Sequence, residues 1–182
     1  MAAAACVAGD SLAAIQRLPE ATAGRERRIV VQAGQMAALG GLPLRQLLRL
    51  AGAVPVEAGA GAACAADELG ALLAEGAAAA LCRWDGQGGH GLVDLAGFAW
   101  ACRQAGVPVI VHLNSGRDWT ARLDAGADLV VVDLMRSAGV DGGLVLGRAD
   151  LVAMARERLA AVPALLAAPA GLAATFRLEP WP

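Results

Sequence analysis

Polar and apolar positions along the chain switch between two periods. Residues 28–32 (RIVVQ), 53–57 (AVPVE) and 77–82 (AAAALC) read as short strands, the last with weak strand propensity. Residues 107–113 (VPVIVHL), 128–133 (DLVVVD) and 143–147 (GLVLG) are further buried strands, and the continuous apolar runs at 107–111 and 129–132 fit burial on both faces. Between them, residues 44–51, 67–75, 92–105, 120–125 and 149–160 carry helical spacing, as do residues 11–18 near the start. The helix markers agree: Pro43 precedes and Gly52 stops the helix at 44–51, Gly106 and Gly126 stop two others, and Asp10 or Ser11 is placed to cap the first. Beyond residue 160 the prolines at 163, 169, 180 and 182 punctuate a tail with little regular pattern.

Strands alternating with helices imply a three-layer α/β/α sandwich around a mostly parallel sheet. One link breaks the parallel rule. About ten residues separate the strand ending at Asp133 from the one starting at Gly143, and a parallel crossover needs a dozen or more. The last strand is therefore expected to run antiparallel. The expected organisation is a domain over residues 1–160 and a Pro-containing tail over 161–182.

Composition narrows the class. Hydrophobic residues make up 57% of the chain, above the roughly 45–50% of soluble domains. Much of the excess is alanine, and no apolar run approaches the ~20 residues of a membrane-spanning helix. The first residues lack a basic start, so no signal peptide is expected and a cytoplasmic domain is the default. A net charge of −2 supplies no electrostatic footprint for nucleic acid or an anionic membrane. All fifteen basic residues are arginine, so the chain contains no lysine. Cys6, Cys64, Cys82 and Cys102 have no metal-ligand spacing and are expected as structural thiols, with no metal site.

In open α/β sheets ligands bind beyond the carboxyl ends of the strands. The polar candidates there are Trp84, His112, Asn114, Ser115, Asp133 and Arg136. His112 ends the most apolar strand as a base, a ligand or a hydrogen-bonded structural residue. Arg136 offers a fork of donors for a phosphate or carboxylate, or an ordinary salt bridge. Ser115 lies in Asn-Ser-Gly with no nucleophile elbow around it, which is turn chemistry. The glycine cluster at 86–91 lacks dinucleotide-binding spacing and reads as a loop.

Several segments, taken in order, carry a resemblance. Gly24-Arg25-Glu26 leads into Ile29-Val30-Val31, then Gly34-Gln35 and Leu39-Gly40-Gly41. Ala51-Gly52-Ala53 and Val56-Glu57-Ala58-Gly59 follow, then Gly106-Val107-Pro108-Val109-Ile110-Val111 with Asn114-Ser115-Gly116. Ala125-Gly126-Ala127-Asp128-Leu129-Val130 and residues 143–151 complete the series. Over roughly residues 1–160 the chain resembles the central part of bacterial selenocysteine synthase (L-seryl-tRNA(Sec) selenium transferase) and its relatives among fold-type-I pyridoxal-phosphate enzymes. The resemblance implies the large-domain fold of those transferases and lyases, and active sites at dimer interfaces.

The departures fall on chemistry. The family's Schiff-base lysine aligns near Met135 or Arg136, and a guanidinium does not form the aldimine. The aspartate that pairs with the cofactor's pyridine nitrogen aligns with His112, whose neutral ring lacks that charge. The family's Asn-Arg stretch after the second strand aligns with Ala62 and Ala63, and a lysine and a histidine of its middle strand with Cys82 and Trp84. Flanking segments of the family are missing, which reads as truncation. The expectation is a catalytically degenerate relative, not an enzyme, acting as an association or regulatory partner. It would form a homodimer or a hetero-complex with a full-length paralogue and hold no covalent cofactor. The rival expectation is an active transferase or lyase that binds pyridoxal phosphate non-covalently, or uses another small anionic ligand through His112, Asp133 and Arg136. A decaying or truncated gene product without a selected role is the third.

Overall fold

A computed structural model of the chain describes residues 2–8, 26–39, 41–84, 89–114, 118–134, 139, 143–160 and 177–180. The helix expected at 11–18 lies outside them, as do Ser115, Met135, Arg136 and most of the tail. In chain order the described elements are α1 (Ala2–Ala8), β1 (Arg28–Gln32), a single 3-10 turn (Ala33–Gln35), α2 (Leu44–Leu50), β2 (Val54–Ala58), α3 (Ala66–Ala74), β3 (Ala79–Trp84), α4 (Leu95–Gln104), β4 (Val109–Leu113), α5 (Trp119–Asp124), β5 (Leu129–Asp133), β6 (Gly143–Gly147), α6 (Ala149–Ala160) and β7 (Arg177–Pro180). The seven strands form one sheet in the order β2-β1-β3-β4-β5-β6-β7.

Side-chain alternation along the strands creates the layers. Ile29, Val31, Leu81, Ile110, Leu129 and Val145 pack on one side with Val7 of α1, Leu44 and Leu48 of α2, and Leu151 and Val152 of α6. Val30, Ala80, Cys82, Val111 and Val132 point the other way, against Leu69 and Leu73 of α3 and Phe98 and Cys102 of α4. Trp119 and Leu123 of α5 pack on that second layer. The architecture is the expected α/β/α sandwich.

Local signals explain why these elements start and stop. The Asp94 carboxylate accepts the Gly97 N–H at 2.8 Å and caps α4. Leu95, Phe98, Ala99 and Cys102 then place one buried stripe on the sheet. The helix ends where Gly106 takes φ +67° and the Val107 N–H donates to the Cys102 carbonyl at 2.9 Å. Glu68 reaches back from the first turn of α3 to accept the Ala65 N–H at 2.9 Å.

Strands β1 to β5 pair in parallel, while β5 and β6 pair antiparallel with Leu129 opposite Gly147 and Asp133 opposite Gly143. The short link after Asp133 does turn the chain back, as expected. Gly147 permits the close approach where β6 ends beside the start of β5: at φ +142°, a Cβ there would stand 2.1 Å from the Asp128 carbonyl oxygen.

Two elements escaped the sequence pattern. Helix α1 is nearly all alanine, which gives no periodic contrast. Strand β7 (RLEP) lies in the segment that reads as an irregular tail, yet it pairs in parallel with β6, Leu144 opposite Arg177. Among the described strands it stands at the edge of the sheet, a position that tolerates Pro180. Among the described residues no helix is long and apolar enough to cross a membrane.

Candidate functional site

Strand order reverses direction at β1. From β1 the chain crosses outward to β2 over α2, then returns past β1 to β3 over α3. Successive crossovers of one hand must then cover opposite faces, leaving the carboxyl ends of β1 and β3 uncovered between them. A cleft of about 470 Å³ opens there, bordered by the ends of β1, β3 and β4 and by residues 89–95.

Two glutamines at the end of β1 build its walls. Backbone pairing between β1 and β3 ends at Val31 opposite Leu81. Past that point the Gln35 side chain replaces the missing strand: its amide donates to the Arg83 carbonyl at 3.0 Å and accepts the Arg83 N–H at 3.1 Å. The fully buried Gln32 makes the same two-bond grip on Val93, accepting its N–H at 2.8 Å and donating to its carbonyl at 3.0 Å. Each buried polar backbone group thereby finds a partner away from the sheet ladder. One glutamine holds β3 and the other holds the far rim of the cleft.

The charged groups of the cleft are largely committed. Arg83 donates from one terminal nitrogen to the Gln35 carbonyl at 3.2 Å and the Ala37 carbonyl at 2.8 Å. Asp94 spends one oxygen on the cap of α4. Trp84 supplies a flat apolar wall, and the Arg122 guanidinium stacks over its ring, 4.2 Å from the centroid. The Asn114 backbone N–H donates to the Trp84 carbonyl at 3.4 Å, while its side-chain Oδ1 is buried and accepts no hydrogen bond from any described residue.

The sequence candidates separate in space. Trp84 and Asn114 line the cleft. His112 does not: it is buried within the sheet, 8% exposed, beside Arg83 of β3 and Val131 of β5 in register. Asp133 ends β5 opposite Gly143, beyond β4 from the cleft. Ser115 and Arg136 lie outside the described residues. Gln32, Gln35, Arg83 and Asp94 were not singled out from sequence. An amide closing an otherwise apolar strand at Gln32 was the available signal.

The thiols are held protonated. Burial first, then the Asp128 carboxylate, pushes both Cys6 and Cys102 up to about 12; Cys64 is raised by burial and then by Glu68 and Asp67. Such thiols are poor nucleophiles, in keeping with a structural reading. A second charged cluster lies at the opposite end of the sheet, where Arg148 bridges Asp128 at 3.0 Å and Asp150 at 2.6 Å. Asp128 also accepts the Val109 N–H at 2.8 Å, so this group ties β4 to the start of α6. Hydrogen bonding to Asp150 holds the Arg148 guanidinium protonated beyond its ordinary range, and the same bond lowers Asp150. Among the described residues no group of His, Cys, Asp and Glu is arranged to hold a metal ion.

No family model matches the chain. It is 33% identical over 170 residues to a Streptomyces 5'-C-glycyluridine monooxygenase-decarboxylase, a match covering 89% of this chain and 41% of that protein. The chain thus spans about two fifths of that relative's length. Among solved structures, D-glucosaminate-6-phosphate ammonia-lyase superposes with a TM-score of 0.78 at 22% identity, over 86% of this chain and 42% of the other. The pyridoxal-5'-phosphate dependent protein YhfS from Escherichia coli gives 0.52 at 19% identity, over 87% and 40%. CalE6, a methionine gamma lyase from Micromonospora echinospora, gives 0.52 at 21%, again over 87% and 40%. The shared property is the fold. An α/β domain with a mostly parallel sheet and one antiparallel pair matches the large domain of pyridoxal-phosphate-dependent enzymes.

Proposed function

We propose that the chain is a catalytically degenerate relative of the pyridoxal-phosphate enzymes, related most specifically to the selenocysteine-synthase group. In this reading it works as a non-catalytic association or regulatory partner. Either a second copy or a full-length, lysine-bearing paralogue would be its companion. The observation that carries the reading is the absence of any lysine from all 182 residues, in a chain that keeps the sheet and the cleft at its switch point.

The residues present do not fit the cofactor. No primary amine of a side chain exists to hold it covalently. His112 stands where the resemblance places the ring-nitrogen aspartate, and it is buried in the sheet away from the cleft lining. Arg83, the arginine among the lining residues, already spends a terminal nitrogen on two backbone carbonyls. The rival reading is an active transferase or lyase using non-covalent pyridoxal phosphate or another small anion.

The reading is tested by incubating the purified protein with pyridoxal phosphate, reducing with borohydride and mapping adducts by peptide mass spectrometry. No internal-aldimine absorption and no side-chain adduct are expected; labelling of the N-terminal amine is separate. Light scattering at low micromolar concentration, alone and with a lysine-bearing paralogue, tests the partner role. A mass of at least twice 18.3 kDa is expected. A monodisperse monomer that also ignores the paralogue would defeat the partner reading.

A further inference from the structure

We infer that a small pocket at the amino ends of β4 and β5 binds a short-chain monocarboxylate through the guanidinium of Arg103. The pocket, about 200 Å³, lies between the last turn of α4 and the starts of these two strands, at the opposite end of the sheet from the switch-point cleft. That volume is below the range of ordinary small-molecule sites, so it suits a ligand of a few heavy atoms. The site stands apart from the partner reading: its groups belong to one copy, and none of them lines the cleft.

Among the described residues the pocket's charged lining is Arg103, Asp128 and Arg148, and the last two hold each other. Asp128 accepts from Arg148 Nη1 on one carboxylate oxygen at 3.0 Å and from the Val109 N–H on the other at 2.8 Å. Arg148 turns its Nε and Nη2 to Asp150, at 3.1 and 2.6 Å. Arg103 is different. It is exposed, and its guanidinium makes no hydrogen bond or ion pair with any described residue. A cation in the last turn of α4 also steadies the helix end, but that role needs only the charge. Here the group is placed as well. A Cβ built on Gly126 would stand 2.9 Å from Arg103 Nη2, so that nitrogen lies against the Gly126 backbone, which is itself part of the pocket lining.

The chemistry of that group sets the ligand class. An unspent guanidinium presents paired N–H donors in one plane, the geometry a carboxylate accepts on both oxygens. Asp128 shares the lining, and its repulsion of an incoming anion grows with that anion's charge, which favours a monoanion over a phosphate dianion. The Ala99 Cβ stands 3.1 Å from the same built position on Gly126, so an apolar methyl borders the guanidinium. Val107 and Pro108 add further apolar lining. A short alkyl chain behind the carboxylate is the complement of such a wall.

Propionate is the probe, titrated into the isotope-labelled full chain in place of chloride at constant ionic strength. The Arg103 Nε–H resonance and the amides of Gly106, Val107 and Gly126 should shift and saturate, with a Kd on the order of 10 mM for so small a ligand. Propionamide, which keeps the shape without the charge, and phosphate as its dianion should each bind roughly fivefold or more weakly to the unmodified protein. Arg103→Gln should weaken propionate by a similar factor, and Arg103→Lys, which keeps the charge without the fork, by roughly threefold or more. Arg49→Gln removes an exposed arginine from the last turn of α2 and should leave propionate binding unchanged. The propionamide comparison keeps the test decisive if a variant fails to fold. No saturable shift at Arg103, equal binding of propionamide or phosphate, or full affinity in either Arg103 variant overturns the proposal. So does an equal loss in Arg49→Gln, which would reduce the effect to net charge.

Discussion

Replacing Gln32 by leucine should loosen the cleft from its far rim. The side chain is fully buried and makes two hydrogen bonds to the Val93 peptide, at 2.8 and 3.0 Å. Leucine is close in volume, so the substitution removes the amide without opening a large cavity. Two neutral bonds contribute about 1 kcal/mol each, and the half-buried Val93 N–H and carbonyl, left partly unsatisfied, add about 1 kcal/mol more. A loss of roughly 3 kcal/mol follows, or a fall in Tm of about 6–12 °C for a chain of this size. Gln35→Leu removes an equivalent grip on Arg83, but Gln35 is only half-buried and water can replace part of it. Its cost should be smaller, about 1–2 kcal/mol. Urea unfolding followed by circular dichroism measures both, and amide exchange at Val93 reports the local effect. A cost under about 1 kcal/mol for Gln32→Leu, a cost below that of Gln35→Leu, or continued protection at Val93 would refute this role for Gln32.

Other consequences can be checked with simple variants and titrations. Gly59→Ala should be severely destabilising, because at φ +79° the new Cβ would meet the Ala63 carbonyl oxygen at 2.1 Å. Gly61→Ala, at φ +59° with nothing within 4 Å, should cost only the left-handed strain of about 1 kcal/mol. Equal melting temperatures for the two would refute the steric reading. Asp150 is lowered in the folded state, so its contribution is present above its ordinary value near 3.8 and is lost as pH falls through the folded value. Asp150→Asn should therefore flatten the acid limb of the stability curve, and an unchanged limb would count against the Arg148 bond. Cys6 and Cys102, both pushed up to about 12, keep their protons in the folded state while the unfolded chain sheds them from about 9 upward. Stability should fall as pH rises between those values, and neither thiol should react with a disulfide reagent at pH 8 until denaturant is added. Rapid native labelling of Cys102, which is fully buried, would contradict this reading.

Most of the framework was legible in the order of residues because each layer leaves a periodic trace. Apolar runs at 107–111 and 129–132 meant strands covered on both faces, and the glycines at 52, 106 and 126 marked helix ends. The link after Asp133, too short for a crossover, was enough to reverse β6, since chain length limits reach whatever the packing. The absence of lysine was likewise complete in the sequence, and it bears on chemistry without any coordinates. Alanine-rich α1 and edge strand β7 left no such trace. The first lacks contrast between faces, and the second is held by backbone pairing that needs no particular side chains.

The site was a different matter. Trp84 and Asn114 were visible as strand-end residues, but so was His112, and nothing in the order of residues separated them. That separation follows from the pairing of β3, β4 and β5, which seats His112 between Arg83 and Val131 within the sheet. The grips of Gln32 on Val93 and Gln35 on Arg83 join residues 61 and 48 positions apart. The bonds from Arg83 Nη1 to the Gln35 and Ala37 carbonyls are equally non-local. A side chain's type is local information, whereas its available bonds depend on what the fold brings within about 3 Å of it. The sequence by itself determined the layers, the reversed strand and the missing amine; only the tertiary structure decided which polar groups remain open to a ligand.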